Sequence, residues 1–261
     1  MISTATRLET ILKRDRLIVI IALAGITALA WGYMVHEARG MAGGACCNMV
    51  APDTNRWSTR TLPPLFLMWA EMMVAMMIPS VTPIILTFAA VNRKRRDQEQ
   101  PFVPAGFFLA GYLAAWTAFS AAAAVAQWFL HARMLMSPMM AGNSPLLGGA
   151  LLIAAGIFQW TPLKHACLVQ CRSPLGFLMT DWREGKYGAL IMGLKHGTYC
   201  TGCCWILMLL LFVGGVMNLA WIAALAAFVL LEKILPAGSW FGKIAGIILV
   251  AWGSIIAIRG L

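Results

Sequence analysis

Runs of about 17 to 25 apolar residues recur along most of this chain, each long enough to cross the hydrocarbon core of a bilayer. With no water there to pair with N–H and C=O groups, a segment must satisfy its own backbone, and a helix does so unaided. The expected fold is therefore all-α, a polytopic transmembrane helix bundle. A composition of 61% hydrophobic and 11% charged residues excludes a soluble globular domain. About seven spans are expected, over 17–34, 63–91, 102–130, 146–163, 187–212, 216–231 and 240–258. Gly214-Gly215 and Pro236-Ala237-Gly238 suit tight turns between neighbouring helices. The basic start, the apolar run and Ala28-Leu29-Ala30 also fit a cleaved signal peptide, which would leave six spans.

Sidedness follows from the 20 lysines and arginines. Arg7, Lys13, Arg14 and Arg16 precede the first span, and Arg93-Lys94-Arg95-Arg96 follow the second. Lys164, Arg172, Arg183 and Lys186 follow the fourth, and Lys233 and Lys243 flank the joint after the sixth. Only Arg39, Arg56, Arg60, Arg133 and Arg259 fall on the other side, with Lys195 left inside a span. The amino terminus is expected in the cytoplasm of a multi-pass membrane protein. The net charge of +10 is accounted for by topology and anionic lipid, so no nucleic-acid partner is called for.

The chain, 1–261, reads as a single integral membrane domain with two polar stretches. An outer loop at 35–62 carries His36, Met41, Cys46, Cys47 and Met49. A cytoplasmic and interfacial segment at 164–186 carries His165, Cys167 and Cys171. Its first part is expected to continue the fourth helix until Pro174 breaks it, and its second part, around Trp182, to lie at the interface.

One face of the fifth span concentrates soft ligands. At about 100° per residue, His196, Cys200, Cys203 and Cys204 fall within roughly a 100° arc. Imidazole and thiol are costly in a bilayer without partners, and together they suit a soft metal ion. His196 and Cys203 lie about 10 Å apart along a regular helix. The four converge only if Gly197 or Gly202 breaks the helix; otherwise they form two linked sites. Cys167 and Cys171, one turn apart, supply a second thiol pair that can meet the first if the fourth helix ends near the start of the fifth. In the second span Met68, Met72 and Met76 form one stripe, and Met73 and Met77 another. Thioethers bind Cu(I) reversibly, as a relay requires, and methionine is also ordinary filler between helices. Glu71 lies off both stripes, where a carboxylate must face protein, water or a cation. Pro79 and Pro83 are expected to kink that span and free a carbonyl. On the outer side, adjacent Cys46 and Cys47 and the group Met134, Met136, Met139 and Met140 have no assigned partner.

Several blocks resemble the bacterial family of predicted metal-binding integral membrane proteins, a domain of unknown function. They are Met72-Met73-Val74-Ala75-Met76-Met77-Ile78-Pro79-Ser80, Thr161-Pro162-Leu163-Lys164 with Cys167, Cys171-Arg172-Ser173-Pro174-Leu175, and His196-Gly197 through Cys200 to Cys203-Cys204-Trp205. Gly215-Val216-Met217-Asn218-Leu219 and Glu232-Lys233 belong to the same pattern, which spans 63–238. The resemblance implies a polytopic membrane protein with a metal site and no established reaction.

Three readings follow. The first is a membrane protein handling Cu(I), by transfer across the bilayer or delivery to a copper-dependent membrane or periplasmic partner. Its ligands would be His196, Cys200, Cys203, Cys204, Cys167, Cys171, Met72 and Met76. Zinc is less well served, because thioether is a poor ligand for it. The second is a membrane thiol–disulfide oxidoreductase using the Cys-x-x-Cys of Cys200 and Cys203, set against it being their place inside an apolar run. The third is an accessory structural subunit of a membrane complex, its 11 tryptophans and 17 methionines serving as lipid anchors and filler. No nucleophile with an oriented base and no phosphate-binding loop is visible, so hydrolase and ATP-driven pump readings drop out.

Overall fold

A computed structural model describes residues 2–42, 59–96, 102–132, 144–236 and 238–259. Cys46, Cys47, Met49 and the methionines at 134, 136, 139 and 140 lie outside the described residues. The described elements are helical throughout: α1 (Ile2–Ala42), a 3₁₀ turn (Thr59–Thr61), α2 (Leu62–Arg96), α3 (Ala105–Ala132), α4 (Pro145–Phe158), α5 (Pro162–Arg172), α6 (Pro174–Asp181), α7 (Gly185–Leu209), α8 (Leu211–Gly214), α9 (Leu219–Ile234) and α10 (Gly238–Arg259). Among the described residues, five stretches are long and apolar enough to cross a membrane: Arg16–Gly40, Leu62–Arg95, Ala105–Ala132, Gly185–Gly214 and Gly238–Arg259. A sixth appears if α4 and α5, bent by 64° at their junction, count as one broken span. The remaining expected span corresponds to α9, a helix of 16 residues that ends in Glu232 and Lys233. Helix α1 continues past the first apolar run, so His36 belongs to a helix rather than to the outer loop.

Close backbone approach holds the bundle together. With no hydrophobic driving force between helices in lipid, small residues that let backbones touch do the work. Along the α3–α7 seam, a Cβ on Gly193 would collide with the Phe108 carbonyl, and one on Gly111 with the Leu190 carbonyl. Gly197 presses on Ala115 and Tyr112 in the same way. The pairing runs in one direction on both helices, so α3 and α7 are parallel. Between α4 and α10 the register runs the other way. Gly149 meets Gly253 and Gly156 meets Gly246, each with a would-be Cβ under 3 Å from the opposing carbonyl.

Helix α2 runs unbroken through Pro79 and Pro83. Pro79 has no N–H to give the carbonyl four residues earlier. That carbonyl, on Ala75, instead accepts from Trp31 Nε1 of α1 at 3.2 Å. The freed acceptor expected from the proline thus becomes an α1–α2 tie. Farther along, Trp69 Nε1 donates to Gln127 Oε1 at 2.6 Å and ties α2 to α3.

The segment after α4 departs from a straight cytoplasmic continuation. Thr161 caps α5, accepting from the Lys164 N–H, and Pro162 occupies the first turn, where its missing N–H costs nothing. This restart swings α5 onto α7. Ser173 ends α5 and Pro174 opens α6, as expected from the sequence. Beyond α6, Trp182 stacks on Phe88 of α2 at 5.7 Å, with the Arg95 guanidinium 4.8 Å over its ring. Lys195, stranded within a span by sequence, pairs with Asp181 at 2.5 Å.

Candidate metal site

Helix α7 is continuous from Gly185 to Leu209, so neither Gly197 nor Gly202 breaks it. The glycines serve approach instead: Gly197 admits α3, and a Cβ on Gly202 would lie 2.8 Å from Cys167 Sγ of α5. Convergence of the thiols comes from α5 folding back. Cys200, Cys203 and Cys204 are 0–1% exposed, and the thiols of Cys203 and Cys204 both turn back to donate to the Cys200 carbonyl at 3.0 Å. Cys171 brings a fourth buried thiol on α5, which packs along α7. Cys167 stands at the edge, half-buried over Gly202. The two cysteine sets of the sequence therefore meet, and all five thiols are free.

Cys200 is the hub. Lys233 Nζ, from the end of α9, donates to Cys200 Sγ at 2.9 Å and to Ser80 Oγ at 3.1 Å. The Tyr112 hydroxyl lies 3.0 Å from the same sulfur. Lysine has three donors and no acceptor, so the sulfur can only accept from it. Ser80 also donates to the Met77 carbonyl at 3.0 Å and sits 4.0 Å from Met77 Sδ. Three helices (α3, α7 and α9) thus meet at one sulfur, and α2 joins through Ser80, which accepts from Lys233.

A second polar layer fixes α9. Lys164 and Glu232 are each 2% exposed and pair at 2.7 Å, with Gln159 Oε1 also accepting from Lys164. Gly238 and Gly242 of α10 leave room for Glu232, since a Cβ on either would strike it. Arg172 donates to the carbonyls of Leu235 and Pro236 at 2.6 Å, closing the end of α9. Neighbouring residues on α9 therefore do different work: Glu232 holds α5, and Lys233 reaches the thiols. By charge alone Lys164 and Lys233 read as sidedness signals. The fold adds a role, giving both of them partners inside the bundle.

Other expected ligands are placed apart. The His196 ring packs among Phe177, Tyr112 and Phe108 at 5.1, 6.0 and 6.1 Å between centroids, and its Nδ1 has no hydrogen-bond partner. It stands one turn from Cys200 inside an aromatic cage. Met72 and Met76 are buried on α2, but the sulfur beside the Ser80–Lys233 group belongs to Met77, on the other stripe. Met72 faces a cavity described below.

Sequence reasoning passed over Tyr112, Ser80 and Lys233 as members of this site. A usable signal existed in Glu232-Lys233, a carboxylate and an ammonium side by side at the end of an apolar run. Such residues seek partners inside the bundle.

Among the described residues, no three or more His, Cys, Asp or Glu side chains are arranged to close on one ion. That is a poor match to the closed four-ligand set of structural zinc. Cu(I) asks for less, because two thiolates suffice for it and soft sulfur is its preferred donor. The donor chemistry fits Cu(I), with the thiols as neighbours rather than a finished ring.

Residues 66–256 match the family described as PpoB2, copper chaperone. With most of its length matched, the chain belongs to that family, and the resemblance to metal-binding membrane proteins takes this more definite form. No curated protein and no solved structure matches the chain.

Proposed function

We propose that this member of the copper chaperone family holds Cu(I) on the thiols gathered around Cys200. The ligands would be drawn from Cys200, Cys203, Cys204 and Cys171, with Cys167 at the rim. Copper is the cargo and stays Cu(I) throughout. Each thiol that ligates gives up its proton, so a two-thiolate complex carries one net negative charge. Buried in a bundle, that charge needs a counter-ion, and Lys233 supplies one within hydrogen-bonding distance of Cys200. Tyr112 offers a further donor to the same sulfur.

The observation that carries this reading is that α5 lays its thiols against the buried cysteine face of α7, where one sulfur is already faced by an ammonium. Burial also weighs against disulfide exchange, since a partner thiol must reach the sulfur it attacks. In this reading the protein is a multi-pass protein of the bacterial inner membrane with its amino terminus in the cytoplasm. It hands copper to a copper-dependent membrane or periplasmic protein.

The test is the copper content of detergent-purified protein loaded with Cu(I) under reducing conditions. The comparison is a folded Cys200→Ser/Cys203→Ser/Cys204→Ser variant. Stoichiometric copper in the parent and a lower copper content in the variant are expected. Equal copper in both would overturn the assignment of the thiols.

A further inference from the structure

Away from the thiols, where α1 ends and α2 and α9 begin, lies a cavity of about 280 Å³. Met34 of α1, Met68 and Met72 of α2 and Met217 just before α9 line it, together with Glu37 and Glu71. Four methionines from three separate stretches of chain therefore share one cavity. Methionine that merely fills gaps between helices leaves no gap, and here the methionines line space that stays open. The Oε1 atom of Glu71 is buried with no hydrogen-bond partner. Inside a bundle an unpaired carboxylate oxygen is costly and marks an ion site more often than a structural one.

We infer that this cavity is a second Cu(I) site, a receiving site of methionine thioethers charge-balanced by Glu71. Soft thioether selects Cu(I) over zinc or magnesium, and the carboxylate offsets the positive charge of the ion. The thiol site proposed above is its destination. Met77, whose sulfur is 4.0 Å from Ser80 Oγ, lies about 7.5 Å farther along α2 than Met72. Ser80 in turn contacts Lys233, which contacts Cys200. Weak thioether binding at one end and thiolate binding at the other give the ion a downhill course, with no electron exchanged.

Cu(I) titration of the full purified chain tests this in two backgrounds. In a variant with all 7 cysteines replaced by serine, about one Cu(I) is expected to remain and Zn(II) not to bind. Adding Met68→Leu, Met72→Leu and Met217→Leu, which keep volume nearly constant, removes that ion. Glu71→Gln weakens it by roughly tenfold or more. With the cysteines intact, the same three methionine changes lower the stoichiometry by one ion and leave thiol-bound copper in place. This second arm decides alone if the cysteine-free chain does not fold. Methionine variants that bind as much Cu(I) as their parents would overturn the inference while leaving the thiol reading untouched. A stoichiometry that the cysteine changes leave undiminished, but that the methionine changes abolish, would support this site and refute the other.

Discussion

Replacing Lys233 with methionine removes the ammonium facing Cys200 while keeping an unbranched chain of similar length. At 2.9 Å, and with an effective dielectric near 20, a full charge pair gains about 6 kcal/mol before any compensation. Lys233 is only half-buried, so water and relaxation take back part of that. A net loss of about 2 to 3 kcal/mol is a reasonable expectation, since leaving a buried charge unpaired typically costs about 3 to 5. At about 1.4 kcal/mol per tenfold, Cu(I) affinity should fall by roughly 30- to 150-fold. The assay is competition for Cu(I) against a coloured chelator in detergent, with the melting temperature of each copper-free protein as the control for folding. An affinity for Lys233→Met within threefold of the parent, at equal stability, would refute the charge-balance argument. It would mean that the copper-loaded cluster is neutral or is compensated elsewhere.

Two further outcomes concern the frame that positions the site. Lys164→Met or Glu232→Met alone should destabilise the protein by about 3 to 5 kcal/mol, whereas the double variant should recover most of that loss. Thermal unfolding of the four proteins measures the coupling, and additive losses would show that the pair does not act as a unit. Gly193→Ala places a methyl group against the Phe108 carbonyl. Overpacking of about 1 to 3 kcal/mol is expected, read as a lowered melting temperature with copper stoichiometry retained in the folded fraction.

The bundle was legible because apolar length is a physical requirement of the bilayer, and the long helices answer to it. The α7 ligand face was legible because helical periodicity alone puts Cys200, Cys203 and Cys204 together. What escaped was whatever depends on direction in three dimensions. The bend between α4 and α5 was written locally in Thr161-Pro162, a cap followed by a first-turn proline, yet a run of apolar residues hides such a restart. Lys233 counts the same in a charge tally whether it meets lipid headgroups or a sulfur. The methionine stripes of α2 were visible, but which stripe meets the thiols depends on how α2 is rotated, and hydropathy is blind to rotation. The ends of α1 were missed for a simpler reason: a helix can continue past its apolar part without altering that signal.

The seam between α3 and α7 has a mechanical consequence. Where backbones touch, neither helix can tilt or slide without breaking contact along the whole line, so α7 behaves as an anvil. The sulfurs it carries are shut away from any visiting protein, and something must lift before another molecule can take hold of them. Helix α5 is only 11 residues long and follows a bend. It is fastened through Lys164 and Arg172, and it covers the thiols with Cys171 and Cys167. It is the lightest cover over those sulfurs, and those two fastenings hold its ends in place.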